Sequence, residues 1–210
     1  TNASYALVNK FKTFQTGTLT TKISSTYSGK SLSDYLKAGD WCYDDTAYAS
    51  DKSTSGTPLT EEQKINYYNG TISEKFYYDS YIRLVGQSTK TPTNKCNGTI
   101  LNQYNDNTDM YVATITADEI VYAGGRSEYD NYGYYLLNDY QRINGIFWWS
   151  LSPYNWNGSY SIAFQLNSNS YLYGYNSVDS VHDSRPTVSL KSSTSISEGD
   201  GTKNNSYTVR

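Results

Sequence analysis

The residues best placed to do chemistry surround the single histidine of the chain. His182 lies in a stretch that also contains Asp179 and Asp183. A histidine beside a carboxylate can form half of a catalytic apparatus, but no activated nucleophile stands in a recognisable context such as Gly-x-Ser-x-Gly. A zinc site built on these three residues is equally short of ligands. We therefore predict that His182 contacts a ligand, and we predict no catalytic residue, no metal site and no cofactor.

Acidic residues also cluster in two other places. The segment 105–109, Asn-Asp-Asn-Thr-Asp, offers oxygen ligands at alternate positions, as calcium loops do, but it lacks the glycine and distal glutamate of an EF-hand. We interpret it as a solvated turn, and we interpret Asp40, Asp44 and Asp45 in the same way. A carboxylate pair for glycoside hydrolysis stays an open alternative, because the fold sets the separation of such a pair.

Tyrosine is the most unusual feature of the composition. The 210 residues include 24 tyrosines but one histidine and one methionine. Tyrosine provides a large amphipathic contact area at low entropic cost, while Ser, Gly and Asn provide adaptable hydrogen bonds, as in antibody paratopes. Aromatic and β-branched residues also pack well on sheets, so a β-rich fold is the alternative explanation.

These residue types are most concentrated between Tyr154 and Ser184, in segments that we predict to be loops. The apolar segment 162–166 interrupts the stretch, as a buried scaffold strand should. We predict that ligand contacts come from the aromatic, amide and acidic side chains around it. The predicted contact residues are Tyr154, Asn155, Trp156, Asn157, Tyr160, Tyr171, Tyr173, Tyr175, Asn176, Asp179, His182 and Asp183.

Charge and cysteine content restrict the partners and the compartment. A net charge of -3 with 17 basic residues gives no field that would hold nucleic acid or an anionic membrane, so we predict neither partner. Cys42 and Cys96 are too few for a zinc site. We prefer a disulfide between them to two free thiols, and a disulfide fits an extracellular or cell-surface location.

Targeting segments are not evident in the sequence. No run of about 20 apolar residues predicts a membrane span. The opening Thr-Asn-Ala-Ser does not begin a signal peptide. We therefore expect an exported protein to have lost its leader or anchor from this chain.

Periodicity and capping signals predict short helices and strands. Four helices are predicted. The first, at 3–14, would be an anchoring stem, and the second lies at 33–38. The other two begin with capping boxes and run from Thr60 to Asn69-Gly70 and from Thr116 to Gly124-Gly125. Strands are predicted at 77–85, 110–115, 147–153 with Pro153 closing it, 162–166 and 186–190. Residues 44–57 are predicted to form a surface loop, and 198–202 a turn before a last short strand or a frayed end.

The C-terminal third carries motifs of a known family. Phe-Trp-Trp-Ser-Leu-Ser-Pro at 147–153 is followed by Ser-Arg-Pro-Thr-Val-Ser-Leu-Lys at 184–191 and Gly-Asp-Gly-Thr at 199–202. These motifs resemble those of bacterial surface proteins, pilin-related or adhesin-like, with a C-type-lectin-like fold. The family carries Gly-Val before the Arg-Pro pair, where this chain has Asp183-Ser184. Segments 41–44 and 116–125 are also similar, so the resemblance covers most of the chain.

The resemblance implies an α+β, C-type-lectin-like fold, mainly an antiparallel sheet with two or three short helices and long loops. Residues 1–30 would form an N-terminal stem or extension, and 31–210 a single domain. Trp148 and Trp149 would fill the core, and Arg185 would bond backbone carbonyls with its planar fork of donors. Stacking of either tryptophan on a sugar ring is the alternative role.

The same fold is similar to that of ligand-binding proteins diversified by retroelements. In those proteins, mutation at adenines scatters Tyr, Asn, Ser, Asp, His and Gly over one exposed face. The stretch 154–183 has that set of residue types. A diversified binding surface and a fixed one are both consistent with it.

Three functions follow from these observations. The first is an extracellular, non-enzymatic recognition domain that binds a protein or a glycan through the Tyr/Asn/Ser-rich loops. The second is a pilin-like or surface-layer subunit that uses its tyrosines for assembly, together with a missing N-terminal segment. The third, a glycan-processing enzyme, requires two carboxylates that converge in a cleft.

Overall fold

The computed structural model describes residues 35–104, 108–127, 145–169, 171–200, 205 and 207–209. Its strands are β1 (Leu36–Lys37), β2 (Trp41–Tyr43), β3 (Ala47–Tyr48), β4 (Phe76–Tyr78), β5 (Thr99–Leu101), β6 (Gln103–Tyr104), β7 (Thr108–Asp109), β8 (Val112–Thr114), β9 (Arg126–Ser127), β10 (Trp148–Trp156), β11 (Ser161–Leu166), β12 (Tyr171–Tyr173), β13 (Asp183–Ser184), β14 (Pro186–Leu190), β15 (Ile196–Glu198) and β16 (Thr208–Val209). Its helices are α1 (Glu61–Tyr68), α2 (Asp79–Tyr81) and α3 (Ala117–Tyr122), and α2 continues into a π-helical turn, Ile82–Gly86. The predicted helix at 3–14 and stem at 1–30 lie outside the described residues.

A seven-stranded sheet is the largest unit of the fold. Its order is β3-β4-β10-β11-β12-β9, and β13 pairs with β10 as well. Strand β10 pairs with β4 near Trp156 and with β13 near Trp148, while β11 runs along it through both halves. Most pairs are antiparallel; β10–β13 and β12–β9 are parallel. The predicted mixture of mostly antiparallel sheet and a few short helices is therefore confirmed.

A second sheet has three strands in the order β1-β14-β8. Leu36 lies opposite Leu190, and Thr187 lies opposite Ala113. The pairs β2–β5, β6–β7 and β15–β16 form small two-stranded sheets. The predicted strands at 162–166 and 186–190 are confirmed, the strand at 110–115 is present as its centre, 112–114, and β16 is a last short strand. Of the predicted turn 198–202, Glu198 belongs to β15, and residues 201–202 lie outside the described residues.

The core lies on one face of the large sheet. Trp148 and Phe164 are completely buried there with Leu84 from the π-helical turn and Ile120 from α3. A second cluster is aromatic, with Trp156 packed edge-to-face on Tyr68 at 5.1 Å. Edge-to-face pairs stabilise such clusters beyond the area that they bury. Among the described residues, none of the helices has the length and apolar character that crossing a bilayer requires.

Both capping boxes form as predicted. In α1 the Thr60 hydroxyl accepts from the Gln63 backbone N–H at 3.2 Å, and the Gln63 side chain accepts from the Thr60 N–H at 2.8 Å. Thr116 and Glu119 do the same at the start of α3. These reciprocal bonds satisfy backbone donors that the first helical turn leaves free. Helix α1 ends at Tyr68 with Asn69 as its C-cap, and the next residue, Gly70, has a φ of 73°.

Two predicted elements are wrong because distant partners override the local pattern. Residues 36–37 of the predicted helix 33–38 form β1 instead, since their backbone pairs with β14 some 150 residues later. The predicted strand 77–85 is a strand only as far as Tyr78. Beyond that residue the chain turns helical, which carries Arg83 to three carboxylates.

Three further predictions also need correction. The predicted surface loop 44–57 contains β3, and Ala47 is completely buried in it. Asp44, interpreted as solvated, is 3% exposed. Pro153 does not close its strand: β10 continues to Trp156, because the register against β11 shifts on both sides of Pro153. A bulge accommodates proline, which cannot donate to a regular ladder.

A buried ion network joins the large sheet to the loop at 92–98. The Arg83 guanidinium contacts Asp44 at 2.6 Å, Asp79 at 2.9 Å and Asp118 at 2.6 Å. Asp118 also accepts from the Thr93 N–H, at 2.9 Å. The predicted disulfide is confirmed in the same region: Cys42 and Cys96 are bonded, with their Cα atoms 5.6 Å apart.

We predict that Arg83→Met lowers the free energy of unfolding by about 3–5 kcal/mol, because it leaves buried carboxylates without their cation. Urea titration followed by circular dichroism measures the loss. Lys75→Met removes the same charge type from an exposed position and is expected to change stability by no more than about 0.5 kcal/mol. Equal effects of the two substitutions would show that the ion network is not the source of the lost stability.

Candidate functional site

The second face of the large sheet carries five of the twelve predicted contact residues. Trp149 lies opposite Gln165, and Gln165 lies opposite Tyr173, so these three side chains share one face. Their neighbours Trp148, Leu166 and Leu172 point to the buried core. We call this surface the Tyr face; its members are Trp149, Gln165, Tyr171, Tyr173, Tyr175, Asn176, Val178 and His182.

Three tyrosines form a row on the Tyr face. The rings of Tyr171 and Tyr173 are 4.9 Å apart and nearly parallel, at 14°. Tyr175 continues the row at 6.4 Å and 27°. Residues two apart in a strand point the same way, which explains why the rings meet. Tyr175 is 71% exposed, whereas Tyr171 and Tyr173 are half-buried.

The phenol of Tyr173 stays protonated at neutral pH. Burial raises the pKa of Tyr173, and the nearby Tyr175 raises it further, while the Gln165 side chain partly opposes this. A protonated phenol both donates and accepts hydrogen bonds. Tyr173 therefore offers an uncharged hydroxyl group on a rigid ring.

His182 is fixed at the edge of the row by an amide. The Asn176 Nδ2 group lies 2.8 Å from His182 Nε2 and donates to Gln165 Oε1 at 3.3 Å. The imidazole also packs on Trp149, at 4.5 Å between ring centres, and stacks on Phe147 at 5.5 Å. The Asn176 Nδ2 atom donates to Gln165, so it acts as a donor toward His182 as well. This arrangement fits a neutral His182 that accepts at Nε2.

Burial lowers the pKa of His182 below its ordinary value of 6.5, against the opposing effects of Asp183 and of a hydrogen bond with the Val181 backbone. Protonation would also turn Nε2 into a donor that faces the donor on Asn176. Both effects favour the neutral ring.

The other predicted residues lie elsewhere. Tyr154 is on the core side, edge-to-face with Tyr81 at 4.6 Å and Phe164 at 4.7 Å. Asn155 and Trp156 are buried, at 8% and 3% exposure. Asn157 and Tyr160 form the turn after β10, where the Asn157 side chain accepts from the Tyr160 N–H at 3.0 Å. Asp179 and Asp183 are exposed on either side of His182 in sequence.

Sequence reasoning did not assign Gln165 or Val178 to a binding surface, and it gave a ligand contact of Trp149 only as an alternative. Trp149 was expected in the core, and at 3% exposure it is buried, but it packs with Ala163 and Val178 beneath the Tyr face. Gln165 is completely buried and holds Asn176. A glutamine inside the apolar segment 162–166 is the signal that could have marked this face, because a buried amide needs a polar partner.

The core position expected of Trp148 is confirmed, whereas the expected bonds from Arg185 to backbone carbonyls stay a prediction. Trp148 is fully buried in the core. The Arg185 guanidinium lies 5.0 Å from the Trp148 ring centre, as a cation–π contact. Within the described ranges, no group of three or more His, Cys, Asp or Glu side chains is arranged to hold a metal ion.

Comparison of the chain with protein-family models, with curated proteins and with solved structures finds no significant match in any of the three. The site is therefore interpreted from its geometry.

We predict that NMR titration of His182 gives a pKa below 6.5. Asn176→Ala should raise that pKa, because it removes the donor that opposes protonation. The lowered pKa means that only the unfolded chain gains the proton just below pH 6.5. The stability contribution of His182 is thus complete above pH 6.5 and falls as the pH drops through the folded pKa. The free energy of unfolding is measured across this pH range for the wild type and for a His182→Gln variant. The variant should not show the loss of stability that comes from His182.

We predict that Gly174→Ala disturbs the strand that carries the row. A Cβ atom there would lie 2.3 Å from the Tyr154 ring, so the variant should lose about 1–3 kcal/mol of stability. Gly56→Ala is the control, since no atom lies within 4 Å of its Cβ position. If both variants unfold at the same urea concentration, Gly174 does not hold β12 against Tyr154.

Proposed function

We propose that this chain is an extracellular ligand-recognition domain that binds a protein through the Tyr face. The row Tyr171, Tyr173 and Tyr175 is the observation that carries the proposal. Rigid aromatic side chains with adaptable amides beside them are the typical composition of recognition surfaces. The row stands on a sheet whose other face is the core, so its side chains are held in place before a ligand arrives.

The stacking of the row favours a protein over a glycan. Tyr171 and Tyr173 cover each other's ring faces at 4.9 Å, so they present edges and hydroxyl groups. A sugar that packs on an aromatic face would find mainly Tyr175, the most exposed of the three. Hydroxyl groups and ring edges suit the mixed polar and apolar surface of a protein.

We further propose a C-type-lectin-like fold, in the manner of bacterial adhesin-like surface proteins and of retroelement-diversified binding proteins. The buried Trp148-Trp149 pair and the mostly antiparallel sheet support this proposal. The disulfide supports an extracellular or cell-surface location, because disulfides persist in oxidising compartments.

A photo-crosslinking amino acid at position 175 tests the proposed function. Cells or extracts from the native environment are exposed to the labelled protein, and crosslinked partners are identified by mass spectrometry. The matched control places the same amino acid at position 122, where the tyrosine is 59% exposed and outside the Tyr face. We expect a discrete foreign protein to be captured from position 175 only.

The captured partner then permits an affinity measurement. Tyr175→Ala should weaken binding at least about tenfold, since aromatic anchors dominate interfaces, whereas Tyr122→Ala should change it less than about twofold. Equal capture from both positions would contradict the proposal. Capture of a second copy of this chain, with assembly at micromolar concentration in light scattering, would instead establish the alternative of a pilin-like or surface-layer subunit.

A further inference from the structure

A cavity of about 230 Å³ lies beside the Arg83 network, between β2, the start of α3 and the loop at 92–98. None of its lining residues belongs to the Tyr face. Liquid water takes roughly 30 Å³ per molecule, so the cavity has room for about seven waters or one small organic molecule. A ligand here would be independent of the function proposed above.

The wall of the cavity is predominantly acidic, with four carboxylates against two cations. The acidic residues are Asp40, Asp44, Asp118 and Glu119, and the basic residues are Arg83 and Lys95. Apolar surface lines the cavity as well, from Trp41 and Ile100. This combination suits a cation that carries a short hydrocarbon segment.

Asp44 is the part of the wall that most needs a partner. It is 3% exposed, and its Oδ2 atom contacts Arg83 at 2.6 Å. Its Oδ1 atom is buried and accepts no hydrogen bond from any described residue. Burial raises the pKa of Asp44 to about 6, against the opposing attraction of Arg83. One guanidinium shared among three carboxylates thus leaves this one incompletely compensated.

Asp118 and Glu119 of the same wall are already engaged. Both oxygens of Asp118 accept from Arg83, and one accepts from Thr93 as well. Glu119 accepts from the Thr116 hydroxyl in the capping box. Of the carboxylate oxygens in the cavity wall, Asp44 Oδ1 is therefore the buried one that lacks a donor among the described residues.

We propose that the cavity binds a primary ammonium group on a short apolar chain, with the ammonium donating to Asp44 Oδ1 and the chain lying along Trp41 and Ile100. An ammonium is compact and brings three donors. The described residues do not form a metal-ligand cluster, which disfavours a divalent cation. The ammonium belongs either to a free amine or to a lysine side chain of a partner.

Titration of the labelled full chain with n-butylamine at pH 7.5 tests this proposal. We expect saturable 1:1 binding, at about millimolar affinity for so small a probe, that shifts the indole N–H signal of Trp41. The neutral isostere 1-butanol should not produce the shift. Asp44→Asn should weaken amine binding about tenfold or more, while Glu62→Gln, which removes an exposed carboxylate of α1, should leave it unchanged.

Asp40→Asn is the second variant in case Asp44→Asn does not fold. Asp40 is exposed at the cavity, and its loss should weaken amine binding about two- to threefold. Unchanged affinity in the folded variants would overturn the proposal, and so would equal binding of 1-butanol. Displacement of the amine by calcium at lower concentration would also overturn it.

A blocked Gly-Lys-Gly peptide separates the two sources of the ammonium. Binding of the peptide with the same sensitivity to Asp44→Asn supports the proposal and assigns the ammonium to a partner's lysine. Binding of butylamine alone supports the proposal and assigns it to a free amine. Failure of both probes overturns the proposal, and it leaves the function of the Tyr face untouched, because Tyr175 is not used in this experiment.

Discussion

The buried guanidinium of Arg83 is the interaction on which the arrangement of the chain depends. It contacts three carboxylates from separate segments, one after β2, one at the start of α2 and one in α3. Removing charged groups from water costs several kcal/mol for each ion, and only close contacts recover it. The network therefore fixes the relative positions of these segments more strictly than apolar packing would, because packing tolerates similar shapes.

Several supports converge on the same region. The disulfide connects β2 to the loop at 92–98, closing a sequence separation of 54 residues. Asn97 donates to Asp79 at 2.8 Å and thereby ties this loop to the network. A loop of this kind is normally mobile because few contacts hold it. Here its backbone and its cysteine are both bound to the core, which is why a defined cavity persists beneath it.

Local signals predicted the parts of the fold that local interactions determine. The capping boxes at Thr60 and Thr116 need only neighbours three residues away, so both helices begin where expected. The segment 77–85 could not be predicted in this way. Arg83 bonds to Asp44 and Asp118, which lie 39 and 35 residues away, and no local pattern records such partners.

The candidate site was predictable in part for the same reason. Tyr171, Tyr173 and Tyr175 alternate at the period of a strand, and the structure gathers them into one row. Tyr154 has a similar composition around it but lies on the opposite face, against Phe164. The choice between the faces depends on the register of β10 against β11, which includes a bulge near Pro153. Composition identifies a region, whereas register selects the side chains that share a surface.

The alternation in β12 has a consequence for how this surface can change over evolution. Leu172 points into the core, while the residues before and after it point away from it. Substitutions at 171 and 173 alter the outer surface without changing the volume of the core, and those at 175 alter a side chain that is mostly in solvent. The strand thus separates outward-facing positions, where a substitution leaves the core volume unchanged, from position 172, which fills the core.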